Sequence, residues 1–346
     1  MARRVLQALT YALMGAQQAT TTGQPLAAWG DVRFLGQGLV RPECVLANAA
    51  GDLYTADWRG GVAHRHPDGT QVLYAGCLPD GGDLRPNGIA LLADGSFLLA
   101  HLGAEQGGVY RLHREGRVEP WLLEVQGRPL PPTNFVLQDG AARTWVTVST
   151  RLSPRSLGYR RSVGDGFIVC VPPVGDARIV ADGLGYTNEV SLHPGGRWLY
   201  VNETFARRLS RFEIQGDGML GPRETVTEFG PGSFPDGLAF DEQGHAWVVS
   251  IVSNRLIRVA PGGAQSLWLE DADAAHVAAA EAAFDAGCMD RPHLDVNPSP
   301  VLRNISSIAF AGTDRRTAVL GCLLGDRLAT LRLPVPGVRP VHWNHP

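Results

Sequence analysis

The sequence predicts an all-β chain, a six-bladed β-propeller with a short helical insertion in or after the fifth blade. Three observations carry that prediction. A unit recurs six times, each with a polar residue, an apolar stretch, a turn, and a second β-rich run that in the first five includes an aromatic. Successive units start 44, 47, 54, 48 and 68 residues apart, the length of a four-stranded antiparallel sheet with its loops. Helix-period segments are nearly absent, while 42 Gly and 24 Pro supply the turns that so many short strands need.

The units begin at Glu43 (ECVLANAAGDLYTA), Asn87 (NGIALLADGSFLLA), Asn134 (NFVLQDGAARTWVT), Asn188 (NEVSLHPGGRWLYV), Asp236 (DGLAFDEQGHAWVV) and Asn304 (NISSIAFAGTDRRTAVL). Five place a glycine eight residues on, at Gly51, Gly95, Gly196, Gly244 and Gly312; the third has Ala142 there. The two β-runs of each unit read as a hairpin buried between neighbouring blades. More polar strands between units, such as GGVAHRHPDG, suit blade exteriors, and His64 and His66 read there as solvated. Gly216 to Gly221 matches G-x-G-x-x-G but leads into another strand, so it reads as a hairpin turn without a phosphate-binding helix.

The exception to the β pattern is Asp271 to Ala286, Ala-rich, opened by Asp and followed by Gly287, which predicts a helix. It is read either as a lid over the channel mouth or as a solvated or dimer-facing decoration. Residues 31–346 read as one propeller domain and residues 1–30 as an extension. Arg3-Arg4 ahead of an apolar stretch to Ala16 outlines a signal peptide, but Gln7, Thr10 and Tyr11 interrupt it, and a short amphipathic helix fits equally.

Composition excludes several chemistries. All 31 basic residues are Arg, so Schiff-base aldolases, lysine-tethered pyridoxal enzymes and lysine phosphate loops are out. Five widely spaced Cys form no disulfide framework or structural zinc motif, and free thiols fit a cytoplasmic protein. A net charge of -3 gives no polycation for nucleic acid or membrane. H-E-x-x-H and G-x-S-x-G are absent.

In a propeller the start of each innermost strand faces the central channel, so Glu43, Asn87, Asn134, Asn188, Asp236 and Asn304 are expected to ring one mouth. Two carboxylates and several amide oxygens are hard donors suited to one divalent ion, Ca²⁺ first, with Zn²⁺ or Mn²⁺ as alternatives. Buried carboxylates converging without a counter-ion would carry a heavy desolvation cost.

Glu43, Asn134, Asn188 ahead of GGRWLYVNET, and Asp236 in PDGLAFDEQGHAW resemble the metal-ligand pattern of the gluconolactonase and regucalcin (senescence marker protein) family, over about Glu43 to Thr330. The family's Glu-Gly-Pro is Pro42-Glu43-Cys44 here, and its third-blade Asn-Asp is Asn134-Phe135. The resemblance implies a six-bladed propeller that holds a divalent cation and opens small sugar lactones. On that reading Glu43, Asn134, Asn188 and Asp236 are the ligands, and Asp236 is also the general base. Asn87 and Asn304 would contact substrate, with His101 and Arg151, which follow second strands, as further substrate-binding candidates. An organophosphate hydrolase on the same site and a non-catalytic binding propeller with a structural ion remain alternatives. The expected partner is a small-molecule lactone, on a monomer or homodimer.

Overall fold

Each unit folds as the inner hairpin of a four-stranded antiparallel sheet, and six such sheets follow one another along the chain. The computed structural model describes residues 25–27 and 29–346, so the signal-like segment to Ala16 and most of the extension lie outside the described residues. The innermost strands are β1 (Val45–Ala47), β2 (Pro86–Leu91), β3 (Thr133–Gln138), β4 (Thr187–Leu192), β5 (Ser233–Phe240) and β6 (Ile305–Ala311). Their sheets are blades one to six.

Closure is made by the ends of the domain. Arg33–Leu35 pairs antiparallel with Leu328–Arg332 as the outermost strand of blade six, with Arg33 opposite Thr330. The sixth sheet is thus completed from the beginning of the chain, which ties its first blade to its last. At the other end of the channel the C-terminal turn Val341–Asn344 is seated by Ala49 N–H on the Trp343 carbonyl (2.7 Å). Above it lies an apolar chamber of about 310 Å³ lined by Phe135, Leu137, Phe240 and Phe310.

Blade interiors show why the hairpin pattern was legible. Trp145 and Trp247, both fully buried, donate Nε1 to Asp139 (3.0 Å) and Asp241 (2.9 Å). Each Asp also accepts two backbone N–H groups of its own turn, so one carboxylate fixes the turn and satisfies the indole.

Neighbouring inner strands approach closely where a glycine follows the polar residue. A Cβ on Gly237 would lie 2.5 Å from the Ser306 carbonyl oxygen and 2.5 Å from Ser307 Cα, both backbone atoms that cannot swing aside. Gly237→Ala is therefore expected to destabilise the fold by about 1–3 kcal/mol, the range for overpacking. Urea unfolding measures it; a loss below about 0.5 kcal/mol, the scatter of ordinary surface changes, would show that the strands have slack.

The predicted helix forms as α1 (Ala274–Asp285), N-capped by Asp273, whose side chain accepts from His276 N–H at 2.7 Å. A short turn α2 (Pro292–Asp295) follows. Both belong to the connection from blade five to blade six. That connection lies at the mouth end, because inner strands start there. α1 buries Ala280, Ala283 and Phe284 against Tyr159, Phe205, Phe234 and Ile251 of blades three to five. It is a docked cap on the rim, which departs from the solvated reading.

A candidate active site at the channel mouth

Register shifts present the polar residues. The pairing of inner and second strands slips between Pro86 and Ile89, Thr133 and Phe135, Thr187 and Val190, and Pro235 and Leu238. Asn87, Asn134, Asn188 and Asp236 sit within those bulges, which re-aim a side chain out of the pleat. All four and Glu43 are buried.

Their hydrogen bonding leaves oxygens unused. Asn87 Nδ2 donates to the Asn134 carbonyl (3.0 Å) and Asn188 Nδ2 to Thr204 Oγ1 (3.0 Å). Oδ1 of Asn87, Asn134 and Asp236 finds no partner among the described residues. Asn202 Nδ2 bonds the carbonyls of Asp236 and Gly237 (3.0 Å each), and Thr204 Oγ1 bonds that of Pro235 (2.8 Å), fixing the Asp236 backbone. Burial, helped by Glu43 and Glu189, raises the Asp236 carboxyl well above its usual range. Acceptors without donors around two mutually repelling carboxylates are the chemistry of a hard-cation site, so this donor set fits a divalent ion.

Two participants escaped the sequence reading. Arg41 Nη2 lies 2.9 Å from Glu43 Oε2 and stacks 4.5 Å over Trp58. Glu189 is buried beneath the ring, accepts Leu238 N–H at 2.9 Å and is pushed up to about 8 by burial, with Glu43 adding to it. A signal existed, since the corresponding positions hold Cys44, Gly88, Phe135 and Gly237, none of them charged.

Other expectations fail on geometry. Asn304 is not a ring residue. In blades one to five the second strand starts ten residues after the polar one, as from Asn87 to Phe97, but Thr317 starts thirteen after Asn304. Ser307 takes the sixth place and bonds Glu189. Asn304 accepts from Val252 N–H (2.9 Å) and Asn297 Nδ2, and donates to the Leu294 carbonyl (2.7 Å). Its whole amide anchors the insertion and is spent on protein. Arg151 is on the exposed edge of blade three, paired with Asp182 (2.8 Å) and stacked on Phe167. His101 is buried in blade two, accepts Arg85 N–H at 3.1 Å, and is lowered to about 4 by burial and Arg85.

His64 is buried, contrary to the solvated reading. Its nitrogens lie 2.9 Å from Asp52 and 3.1 Å from the Tyr74 hydroxyl. Donor atoms of Asp52, His64 and His66 fall within 4.8 Å of one another, but these contacts already satisfy His64. The group belongs to the other end of blade one.

A cavity of about 890 Å³ opens against blades six and one and the insertion, lined among others by Arg41, Trp58, Arg291, Asp295 and Leu323; it reaches Arg41 but none of Glu43, Asn87, Asn134, Asn188 and Asp236. Residues 41–270 match the family described as SMP-30/gluconolactonase/LRE-like region. The chain belongs to this family. The match runs from Arg41 to the last strand of blade five and stops short of the insertion and blade six.

A 6-deoxy-6-sulfogluconolactonase of Pseudomonas putida is 27% identical over 175 residues, 50% of this chain and 56% of that protein. The chain thus spans about half the length of the curated relative it matches. Among solved structures, a Xanthomonas campestris gluconolactonase superimposes with TM-score 0.64 at 18% identity, covering 90% of this chain and 96% of that one. An Agrobacterium tumefaciens calcium-binding protein, regucalcin, does so with TM-score 0.62 at 16% identity, over 88% and 96%. These likenesses extend the propeller over nearly the whole chain.

Proposed function

We propose that the chain is a lactonase that opens a small sugar-type lactone at the channel mouth with the help of one divalent cation. The observation behind this reading is the ring of buried oxygens from Glu43, Asn134, Asn188 and Asp236 at the channel mouth, in which Asn134 and Asp236 each keep an acceptor without a partner among the described residues. Glu43 and Asp236 supply the charge to hold the ion, and the Asn oxygens complete the donor set. When bound, the cation supplies Lewis-acid polarisation where the tetrahedral state gathers negative charge.

The chain's own residues do the rest. Asp236 accepts the proton of the attacking water, from a carboxylate whose backbone Asn202 and Thr204 hold in place. Asn87, next to Asn134 in the ring, is placed to bond a substrate hydroxyl through its free oxygen. Arg41 offers positive charge at the rim. The water must add to the lactone carbonyl and the ring oxygen must leave with a proton, which yields the open hydroxy acid.

The test is hydrolysis of a panel of aldonolactones, including the sulfonated one that names the Pseudomonas putida relative, and of a phosphotriester. Chelator-stripped protein receives Ca²⁺, Zn²⁺, Mn²⁺ or Mg²⁺. Restored lactone turnover supports the reading; turnover of the phosphotriester alone would replace it.

Metal addition should also raise the thermal midpoint, because an ion that binds only the folded ring stabilises it by RT ln(1 + [L]/Kd). Glu43→Gln should blunt that rise, and an equal rise in both proteins would place the ion elsewhere. The same reading takes the working form as a cytoplasmic monomer or homodimer, which the five free thiols support. No described helix is long and apolar enough to cross a membrane.

A further inference from the structure

The mouth gathers guanidinium groups from three separate segments. Arg41 precedes β1, Arg155 opens the turn Arg155–Gly158 after the second strand of blade three, and Arg291 precedes α2 in the insertion. Arg41 is paired with Glu43, and Arg291 with Asp295. Arg155 has no ion pair and no hydrogen bond among the described residues, although it is only partly exposed. The turn that carries it lies at the mouth end, where the second strand of blade three finishes, and the next residue after that turn, Tyr159, is bonded by Arg291 of the insertion.

The surroundings hold Arg155 in place. Tyr159, four residues on, stacks on Phe205 and meets Tyr186 edge-on (centroids 5.3 Å). Arg291 Nη1 donates to the Tyr159 hydroxyl at 3.3 Å, which links the Arg155 turn to the insertion. Arg160 donates to the Met289 carbonyl across the same seam. A partly desolvated cation kept without a counter-charge costs free energy unless a ligand supplies the anion. The excess positive charge is felt locally: burial raises the Tyr159 hydroxyl, yet Arg155 and Arg291 outweigh it and lower the group.

We infer that Arg155, with Arg291 beside it, forms an anion subsite, and that the preferred substrate is a sugar lactone carrying an anionic oxyacid group at the end remote from the ring carbonyl. This deepens the lactonase reading and rests on it for the word lactone. Arg suits the task because its planar fork meets sulfonate, phosphate or carboxylate oxygens in pairs. The opposing charges nearby have partners: Asp295 serves Arg291, Glu43 serves Arg41 and the cation site, and Asp290 accepts the Arg291 backbone N–H at 2.7 Å.

The experiment compares D-glucono-1,5-lactone with its 6-sulfonate, 6-phosphate and 6-carboxylate counterparts on wild type, Arg155→Met and Arg155→Lys. The readout is the ratio of kcat/KM for each charged lactone to that for the neutral one. Wild type should favour at least one charged lactone by about tenfold or more, the worth of one charge-assisted hydrogen bond. Arg155→Met should collapse that ratio to within about twofold, and Arg155→Lys should keep part of it. Which anion shows the largest ratio identifies the oxyacid.

Calorimetry of 6-sulfogluconate against gluconate, with chelator present, reads the subsite without turnover. Arg155→Met should weaken the sulfonated acid by about tenfold. A wild-type ratio near one, or a ratio that survives Arg155→Met, overturns the subsite. Failure of every lactone to react overturns the lactonase reading instead, and the calorimetric arm then decides the subsite by itself.

Discussion

Asp236→Asn loses lactone hydrolysis by about 10²–10⁴-fold, the worth of a positioned general base, while the propeller stays folded. The amide keeps an oxygen toward the ring and nearly the same shape, but it cannot take a proton from water. Two side measurements separate this from a folding defect. In chelator the variant should melt at or above wild type, because the substitution removes one of two buried, mutually repelling carboxylates. Metal binding measured by calorimetry should weaken without vanishing, since Glu43 remains. Wild-type turnover in Asp236→Asn would remove Asp236 from the chemistry.

Glu281→Ala is expected to cost about 3 kcal/mol or more, the lower end for breaking a buried ion pair. Glu281 lies on α1 and grips Arg207 through two contacts, Oε1 at 2.5 Å and Oε2 at 3.0 Å, while Oε1 also accepts Gly232 N–H at 2.7 Å. Arg207 is sandwiched between Phe234 and Phe284 (4.4 and 4.3 Å) and is 4% exposed, so its charge would be left buried without a partner. Urea unfolding reads the loss, and protease nicking near Gly287 reads the undocking of the helix. Because α1 and Arg291 belong to one insertion, selectivity between charged and neutral lactones should fall with it. Stability within about 0.5 kcal/mol of wild type, with no new cleavage, would show that apolar packing alone seats the helix.

The eight-residue distance to Gly312 points to Asn304 as a ring residue, but the sixth turn is longer and brings Arg315 (φ 52°), not Gly312, two residues ahead of the second strand. Gly51, Gly95, Gly196 and Gly244 occupy that place elsewhere, so Gly312 is not the equivalent turn residue of the sixth unit. Arg151 follows the second strand of blade three and His101 ends that of blade two. That position says which end of the blade they reach, and nothing of whether they point at the axis or into a neighbouring loop.

What the sequence by itself determined is what repeats: the number of blades, the hairpin within each, the helix with its Asp273 cap and Gly287 stop, and four polar residues in one phase, Glu43, Asn134, Asn188 and Asp236. Local backbone preference and two-residue alternation set these, and both are written in short stretches of chain. Only the tertiary structure decided what comes together from far apart. Arg41 on Glu43, Glu189 beneath Asp236, Arg207 on Glu281, and Arg291 on Tyr159 depend on ring closure and on the path of one insertion. A side chain's electrostatic neighbours are fixed by distance in space, because the interaction weakens as charges separate, and sequence separation does not specify that distance.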